Sequence, residues 1–252
     1  MGGLMRGIAI ITGASRGIGA ATALLAAKSG YDVCINYVAD KAAATGVAET
    51  CRNEGVRAIV AQADVGEPEA VRGLFLACDQ QLGAVTLLVN NAGIIGSATR
   101  VVDLTDEVLH KTFRVNTFGP FYCAREAIRR MSTKTGGTGG VIINISSQAA
   151  YMGSPGEYVH YAASKGALDT LTIGLSKEVG REGIRVNGVH AGTTDTDIHR
   201  LAGNPNRPRM VAEKSPLGRV ATPQDIAEAA IWLASDKASY ATGTTLCIGG
   251  GM

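Results

Sequence analysis

The chain has 252 residues, 46% of them hydrophobic and 33 of them glycine, with a net charge of +2. That length suits a single α/β domain over residues 1–252, and so balanced a charge excludes the clustered basic face of a nucleic-acid-binding protein. The five cysteines are scattered and form no CxxC pair, so we expect reduced thiols in a cytoplasmic protein and no metal site, while no apolar run reaches the ~18 residues of a membrane span.

Short runs rich in Val and Ile alternate with longer amphipathic ones. The first, GIAIIT (7–12), leads into a glycine loop and reads as a strand, not as a leader peptide. Further strands are expected at 31–37, 56–61, 85–90, 140–146, 184–190 and 244–248, and helices at 17–29, 40–54, 67–82, 105–133, 158–181 and 223–235. Strict strand–helix alternation predicts a doubly wound, Rossmann-like α/β fold: seven parallel strands with helices on both faces. One stretch breaks the rhythm. Residues 193–218 carry three of the seven prolines and no clear period, which predicts a loop over a substrate site. His199, in this loop, is a candidate for touching substrate.

The first strand ends in TGASRGIG, Thr12 to Gly19. Gly13, Gly17 and Gly19 allow a tight turn and close approach of a pyrophosphate, and the following helix would offer free N–H groups and its positive dipole end. A dinucleotide is the expected ligand. At the end of the second strand, where a carboxylate would hold the ribose of NAD, the chain has Asn36 and Tyr37. Without that carboxylate a 2′-phosphate meets no repulsion, and Arg16 in the glycine loop is placed to pair with it. NADP is therefore expected over NAD.

The stretch YVHYAASKGALD (158–169) places Tyr161 and Lys165 four residues apart on one helix face. An ammonium beside a phenol favours the phenolate, so a lowered Tyr161 pKa is expected, suited to proton transfer near neutral pH. His160 points away from that face and reads as a packing residue. Tyr158 reads as a pocket wall, and Glu157 as a charge at the helix N-terminus.

Together TGASRGIG, NNAG (90–93), Ser146-Ser147 after a strand, YAASK (161–165) and GRVATPQDIAEAAIWLASDKASYATG (218–243) resemble the small single-domain short-chain dehydrogenase/reductases, in order and in spacing. The resemblance covers nearly the whole chain. It implies Tyr161 as catalytic acid/base, Lys165 as its partner and a ribose contact, Ser147 on the substrate oxygen, and Asn116 (in FRVNTFGP) supporting a proton relay. Its implied cofactor set is Gly13, Ser15, Arg16, Gly17, Ile18, Gly19, Asn36, Tyr37, Asp64, Val65, Asn91, Ala92, Gly93, Tyr161, Lys165, Gly192, Thr194 and Thr196, with Asp64 on adenine and Asn91 mostly structural. It implies interconversion of a carbonyl and an alcohol on a small molecule, and a homotetramer. Three features depart from the family. The Ser147–Tyr161 spacing is one residue longer than usual, His190-Ala191-Gly192 replaces Pro-Gly, and the tail reads IGGGM.

Two other classes use such a fold. Nucleotide-sugar epimerases and dehydratases carry a second lobe, for which the residues after the sixth strand are too few. A non-catalytic dinucleotide sensor tends to lose the Tyr or the Lys, and both are present here.

Overall fold

Val, Ile and Leu fill strand positions that are buried on both sides, as parallel strands covered by helices require. A computed structural model describes residues 7–252, apart from the side chains of His199 and Leu201. Its strands are β1 (Gly7–Ile11), β2 (Tyr31–Tyr37), β3 (Ala58–Gln62), β4 (Leu87–Asn90), β5 (Gly140–Ser147), β6 (Ile184–Ala191) and β7 (Thr245–Ile248). All pair in parallel in the order β3-β2-β1-β4-β5-β6-β7. The strand order reverses between β1 and β4, which opens a crevice at their carboxyl ends.

Alternate residues of each strand face opposite layers. Ile11, Ile35, Val89 and Ile143 pack against α1 (Gly17–Lys28), α2 (Lys41–Arg52) and α10 (Pro223–Ala234). Ile10, Leu88, Ile142 and Val186 pack against α3 (Pro68–Gln81), α5 (Gly119–Met131) and α7 (Val159–Val179). Buried Ala23, Ala26 and Ala27 on α1 let α10 approach closely. The start of α10 is fixed by a capping box, in which Thr222 Oγ1 accepts from the Asp225 N–H and the Asp225 carboxylate accepts from the Thr222 N–H.

The helix expected over 105–133 is not continuous. It divides into α4 (Asp106–Phe113), a π-helical turn (Arg114–Phe118) and α5. The break centres on Asn116, whose carboxamide is drawn to the backbone of Ile94, and Pro120 follows at the start of α5. A π-turn lets one side chain leave the regular helical register, which periodicity alone could not reveal.

The stretch 193–218 also has more structure than expected. It carries two short helices, α8 (Ile198–Leu201) and α9 (Arg207–Ala212). Between Ser147 and α7 the longer spacing is absorbed by α6 (Ala149–Met152) and by tight turns with positive φ at Gly153, Ser154 and Gly156. No helix among the described residues is long and apolar enough to cross a membrane.

Candidate active site

The glycine loop leaves β1 at the crevice. Gly13 and Gly17 have φ of +60° and +56°, which side-chain-bearing residues rarely adopt. A methyl group on Gly13 would stand 2.9 Å from Ala92 Cα, and one on Gly19 would stand 2.6 Å from Gly13 O. The loop is therefore packed too tightly for any side chain at these positions. Asn91 anchors it, donating from Nδ2 to Thr12 O (2.8 Å) and Gly13 O (3.1 Å). The Asn91 and Ala92 N–H groups donate in turn to Thr12 Oγ1. The N-terminus of α1 has no side-chain cap, so its first N–H groups have no side-chain acceptor. These features fit a pyrophosphate.

Arg16 is exposed, and its guanidinium forms no hydrogen bond or ion pair among the described residues. Ser15 lies half-buried in the same loop, and Ile18 packs into the core. Thr196 reaches the loop from the segment after β6, where a methyl group on Gly17 would touch its Cγ2 at 3.2 Å.

Asn36 and Tyr37 differ from expectation. Asn36 is fully buried, with Oδ1 accepting from the Gly13 N–H (3.1 Å) and Nδ2 donating to the carbonyls of Ala63 (2.9 Å) and Ala61 (3.3 Å). It holds the glycine loop onto β2 and β3, and its polar atoms are committed to backbone. The Tyr37 ring is packed in the core. Each side chain thus satisfies a demand of the interior. Asp64 is likewise engaged, accepting from the Gly66 N–H and from Arg114, which also pairs with Glu67. Val65 is buried beneath Gly119.

The four residues expected to do chemistry converge. Ser147 closes β5, and its Oγ accepts from the Ala149 N–H (3.1 Å) and hydrogen-bonds Tyr161. Lys165 lies one turn after Tyr161 on α7, with Nζ 5.9 Å from the Tyr161 ring centroid. Its Nζ donates to Ile145 O at 2.8 Å. Asn116 is fully buried and donates to Ile94 O (2.8 Å) and Ser164 Oγ (3.0 Å), while its Oδ1 accepts from the Ile94 N–H (2.9 Å). A methyl group on Gly93 would stand 3.4 Å from both Asn116 Oδ1 and Lys165 Nζ, so the end of β4, the π-turn and α7 meet at one point.

Electrostatically the pair departs from expectation. Tyr161 has its pKa raised: burial outweighs the opposing hydrogen bond from Ser147. Lys165, 4% exposed, is pushed down by burial from 10.5 to about 8, with Asp169 opposing the shift. The low dielectric that would strengthen their attraction also penalises each charge, and the ammonium is aimed at a carbonyl and not at the phenol oxygen.

Around this centre His160 is buried, with Nε2 2.9 Å from Ile95 O, and Ser146 Oγ reaches Lys165 O at 3.4 Å. Tyr158 is buried under the Arg207 guanidinium (5.4 Å), and Arg207 pairs with Glu157 at 2.7 Å. Arg207 thus ties α9 to the start of α7. Glu157 serves this tie and does not cap α7 through its side chain. β6 continues through Ala191, paired with Ile248, where a proline would have ended the ladder. Gly192 donates to Ile248 O and lies against Gln148, and Thr194 is buried with Oγ1 donating to Gly192 O. The His199 side chain lies outside the described residues.

Sequence reasoning missed Gln148, whose Nε2 donates to Tyr151 Oη (2.9 Å) and to Met252 O (2.9 Å), so that the tail closes on the site. It also missed Asp169, bound to His190 at 2.8 Å. The available signal for Asp169 was its position four residues after Lys165.

A family model described as enoyl-(acyl carrier protein) reductase matches residues 13–252. The chain is 48% identical over 244 residues to YgfF of Escherichia coli K12, described as an uncharacterized oxidoreductase, covering 97% of this chain and 99% of that protein. The chain belongs to the short-chain dehydrogenase/reductase family. It is an NAD(P)-dependent oxidoreductase of that family. It is also 38% identical to an L-rhamnose 1-dehydrogenase (NAD(P)(+)) of a Sphingomonas strain, over 96% of this chain and 94% of that protein. A solved blue fluorescent protein from a metagenomic library, in complex with NADPH, superposes with a TM-score of 0.89 at 35% identity, covering 99% and 98% of the two chains.

The buried Lys165 makes a prediction about stability. Between about pH 8 and pH 10.5 the unfolded chain binds a proton that the folded chain has released, so stability rises with pH across that window. Lys165→Met removes this slope. Chemical denaturation without cofactor should show the wild type gaining on the variant by ~3 kcal/mol across the window.

Proposed function

We propose that this protein is an NADP(H)-preferring oxidoreductase that interconverts a ketone or aldehyde with an alcohol, with Tyr161 as acid/base. The observation that carries the reading is the convergence of Ser147, Tyr161, Lys165 and Asn116 beside the glycine loop at the reversal of strand order. A bound nicotinamide supplies the hydride donor or acceptor. Gly13, Gly17, Gly19 and the uncapped start of α1 hold its pyrophosphate, with Ser15, Asn91, Ala92, Gly93, Gly192, Thr194 and Thr196 bordering the cleft. Asn36 acts indirectly, by shaping the loop, and Arg16 pairs with a 2′-phosphate.

In the reducing direction Tyr161 gives its proton to the substrate oxygen as the carbonyl carbon gains hydride. Its raised pKa keeps it protonated at neutral pH, as this role requires. Ser147 Oγ hydrogen-bonds the same oxygen. Lys165 returns a proton to Tyr161, and Asn116 fixes the backbone beside it. Oxidation of an alcohol runs through the same groups in reverse. The bordering loop is 193–218, held to α7 through Arg207. The free cysteines suit a cytoplasmic protein.

Phe118, Phe121 and Ile173 are each about half exposed, on the π-turn, α5 and α7. We assign this apolar surface to contacts within a homotetramer, and light scattering should give four times the chain mass; a monomer mass would reject the assignment.

Two variants test the chemistry. Nicotinamide oxidation is followed with NADPH and NADH over a panel of ketones, aldehydes, diketones and acyl-thioester mimics. Tyr161→Phe should lose turnover by about 100- to 10,000-fold and keep NADPH affinity, and turnover at the wild-type rate would refute the mechanism. Arg16→Ala should raise KM for NADPH about tenfold or more and leave KM for NADH nearly unchanged. Equal effects on both cofactors would remove Arg16 from 2′-phosphate recognition.

A further inference from the structure

Below the centre lies a second, smaller cluster that the reaction as written does not use. Asp169 follows Lys165 by four residues on α7, so the two share a helix face. From β6, His190 meets it, with Nε2 2.8 Å from Asp169 Oδ2. His190 stands beside Ser146 in the β5–β6 ladder, one position before the Ser147–Ala191 pair. The cluster is thus built into the same two strand ends that carry the catalytic serine.

The unusual atom is Asp169 Oδ1. It is shielded from solvent and has no hydrogen-bond partner among the described residues. A carboxylate oxygen left without a donor is costly unless a nearby positive charge compensates. The charge whose field couples to Asp169 in this region is Lys165. Other titratable groups also face the pair. Tyr161 lies on the same helix, and Tyr151 of α6 stacks at 5.4 Å on His190. Cys247 of β7 touches the Tyr151 hydroxyl at 3.5 Å. The residues of β5 and the π-turn that reach Lys165 and its surroundings (Ile145, Ser146, Ser147 and Asn116) offer hydroxyl, amide and carbonyl groups only.

We propose that Asp169 and His190 form a positioning pair that holds Lys165 as an ammonium ion in the resting enzyme. His190 donates from Nε2–H to Asp169 Oδ2, since an ionised carboxylate only accepts. The hydrogen bond fixes the carboxylate, which shares the helix face of Lys165 one turn away. Burial alone works against the ammonium, and Asp169 opposes that effect. Neither residue touches substrate. His190 stands in the segment where the family's usual Pro-Gly is replaced, and its imidazole gives that segment a function toward the lysine.

The inference rests on the role given to Lys165 above, and it has a readout apart from turnover. Protein labelled with 13Cε-lysine is titrated by NMR, with the Lys165 resonance assigned as the one lost in Lys165→Met. In the wild type this resonance should titrate near pH 8. In Asp169→Asn its midpoint should fall by about one pH unit, and the alkaline limb of kcat/KM should move with it. His190→Leu should shift the midpoint the same way, because the carboxylate loses the hydrogen bond that fixes it on the lysine's helix face. His190→Gln, which keeps an N–H donor, should restore the wild-type curve.

Superimposable Lys165 titrations in wild type and Asp169→Asn would overturn the proposal, even if the variant melted at lower temperature. A shift in Asp169→Asn without one in His190→Leu would overturn the part given to His190. If Asp169→Asn fails to fold, the two His190 variants decide the question. If the wild type turns over no carbonyl tested, the functional reading fails, and the NMR comparison still judges the pair.

Discussion

Buried asparagines tie the strands of this sheet to one another and to the segments around them, some through backbone groups and some through other side chains. Asn36 on β2, Asn90 on β4, Asn144 on β5 and Asn187 on β6 are each at most 3% exposed. Asn90 donates to Asn144, and Asn144 donates onward to Thr172 of α7. Asn187 binds the Ala241 carbonyl and the Thr244 N–H, fixing the approach to β7. A carboxamide suits such a place because it offers donors and an acceptor together and carries no charge. A carboxylate there would need a cation, and an aliphatic side chain would leave the buried partners unpaired. The same solution recurs in the π-turn, where Asn116 satisfies both backbone groups of Ile94.

On that framework the protein buries the ammonium of Lys165. Lys165 is held by one carbonyl and stands among uncharged groups except for Asp169. An isolated ammonium in such surroundings would tend to give up its proton. In the reaction proposed above, the buried lysine serves as a proton reservoir beside the phenol. Tyr161 is affected by the same burial in the opposite sense, since burial disfavours the charged form of each group. The raised phenol and lowered ammonium are thereby moved apart in proton affinity, so that a proton passes downhill from the ammonium to a tyrosinate.

Much of this was legible along the chain. Val/Ile runs bounded by turn residues located all seven strands to within a few residues, because parallel strands buried on both faces leave little freedom of composition. Glycines 13, 17 and 19 marked the tight turn after β1, because close backbone approach excludes side chains. The pairing of Tyr161 with Lys165 followed from helical spacing. Less legible were features that depend on partners distant in sequence. The π-turn in the expected helix 105–133 answers to Ile94, and the role of Asn36 answers to Gly13, Ala61 and Ala63. The Gln148–Met252 contact spans most of the second half of the chain. The direction of the Tyr161 shift was misjudged because charge proximity can be read from spacing and burial cannot.

The sequence by itself determined the alternation of strands and helices, the glycine loop and the residue types at the proposed catalytic positions. Each of these is set by local sterics, by hydrophobic period or by the chemistry of one side chain. Only the tertiary structure decided which polar groups remained available once the interior had been satisfied. It engaged Asn36 and Asp64, left Arg16 unpaired among the described residues, and joined Asp169 to His190 below Lys165. The reason is that a hydrogen bond or a buried charge is settled by what surrounds it in space, and a parallel sheet brings together residues far apart along the chain.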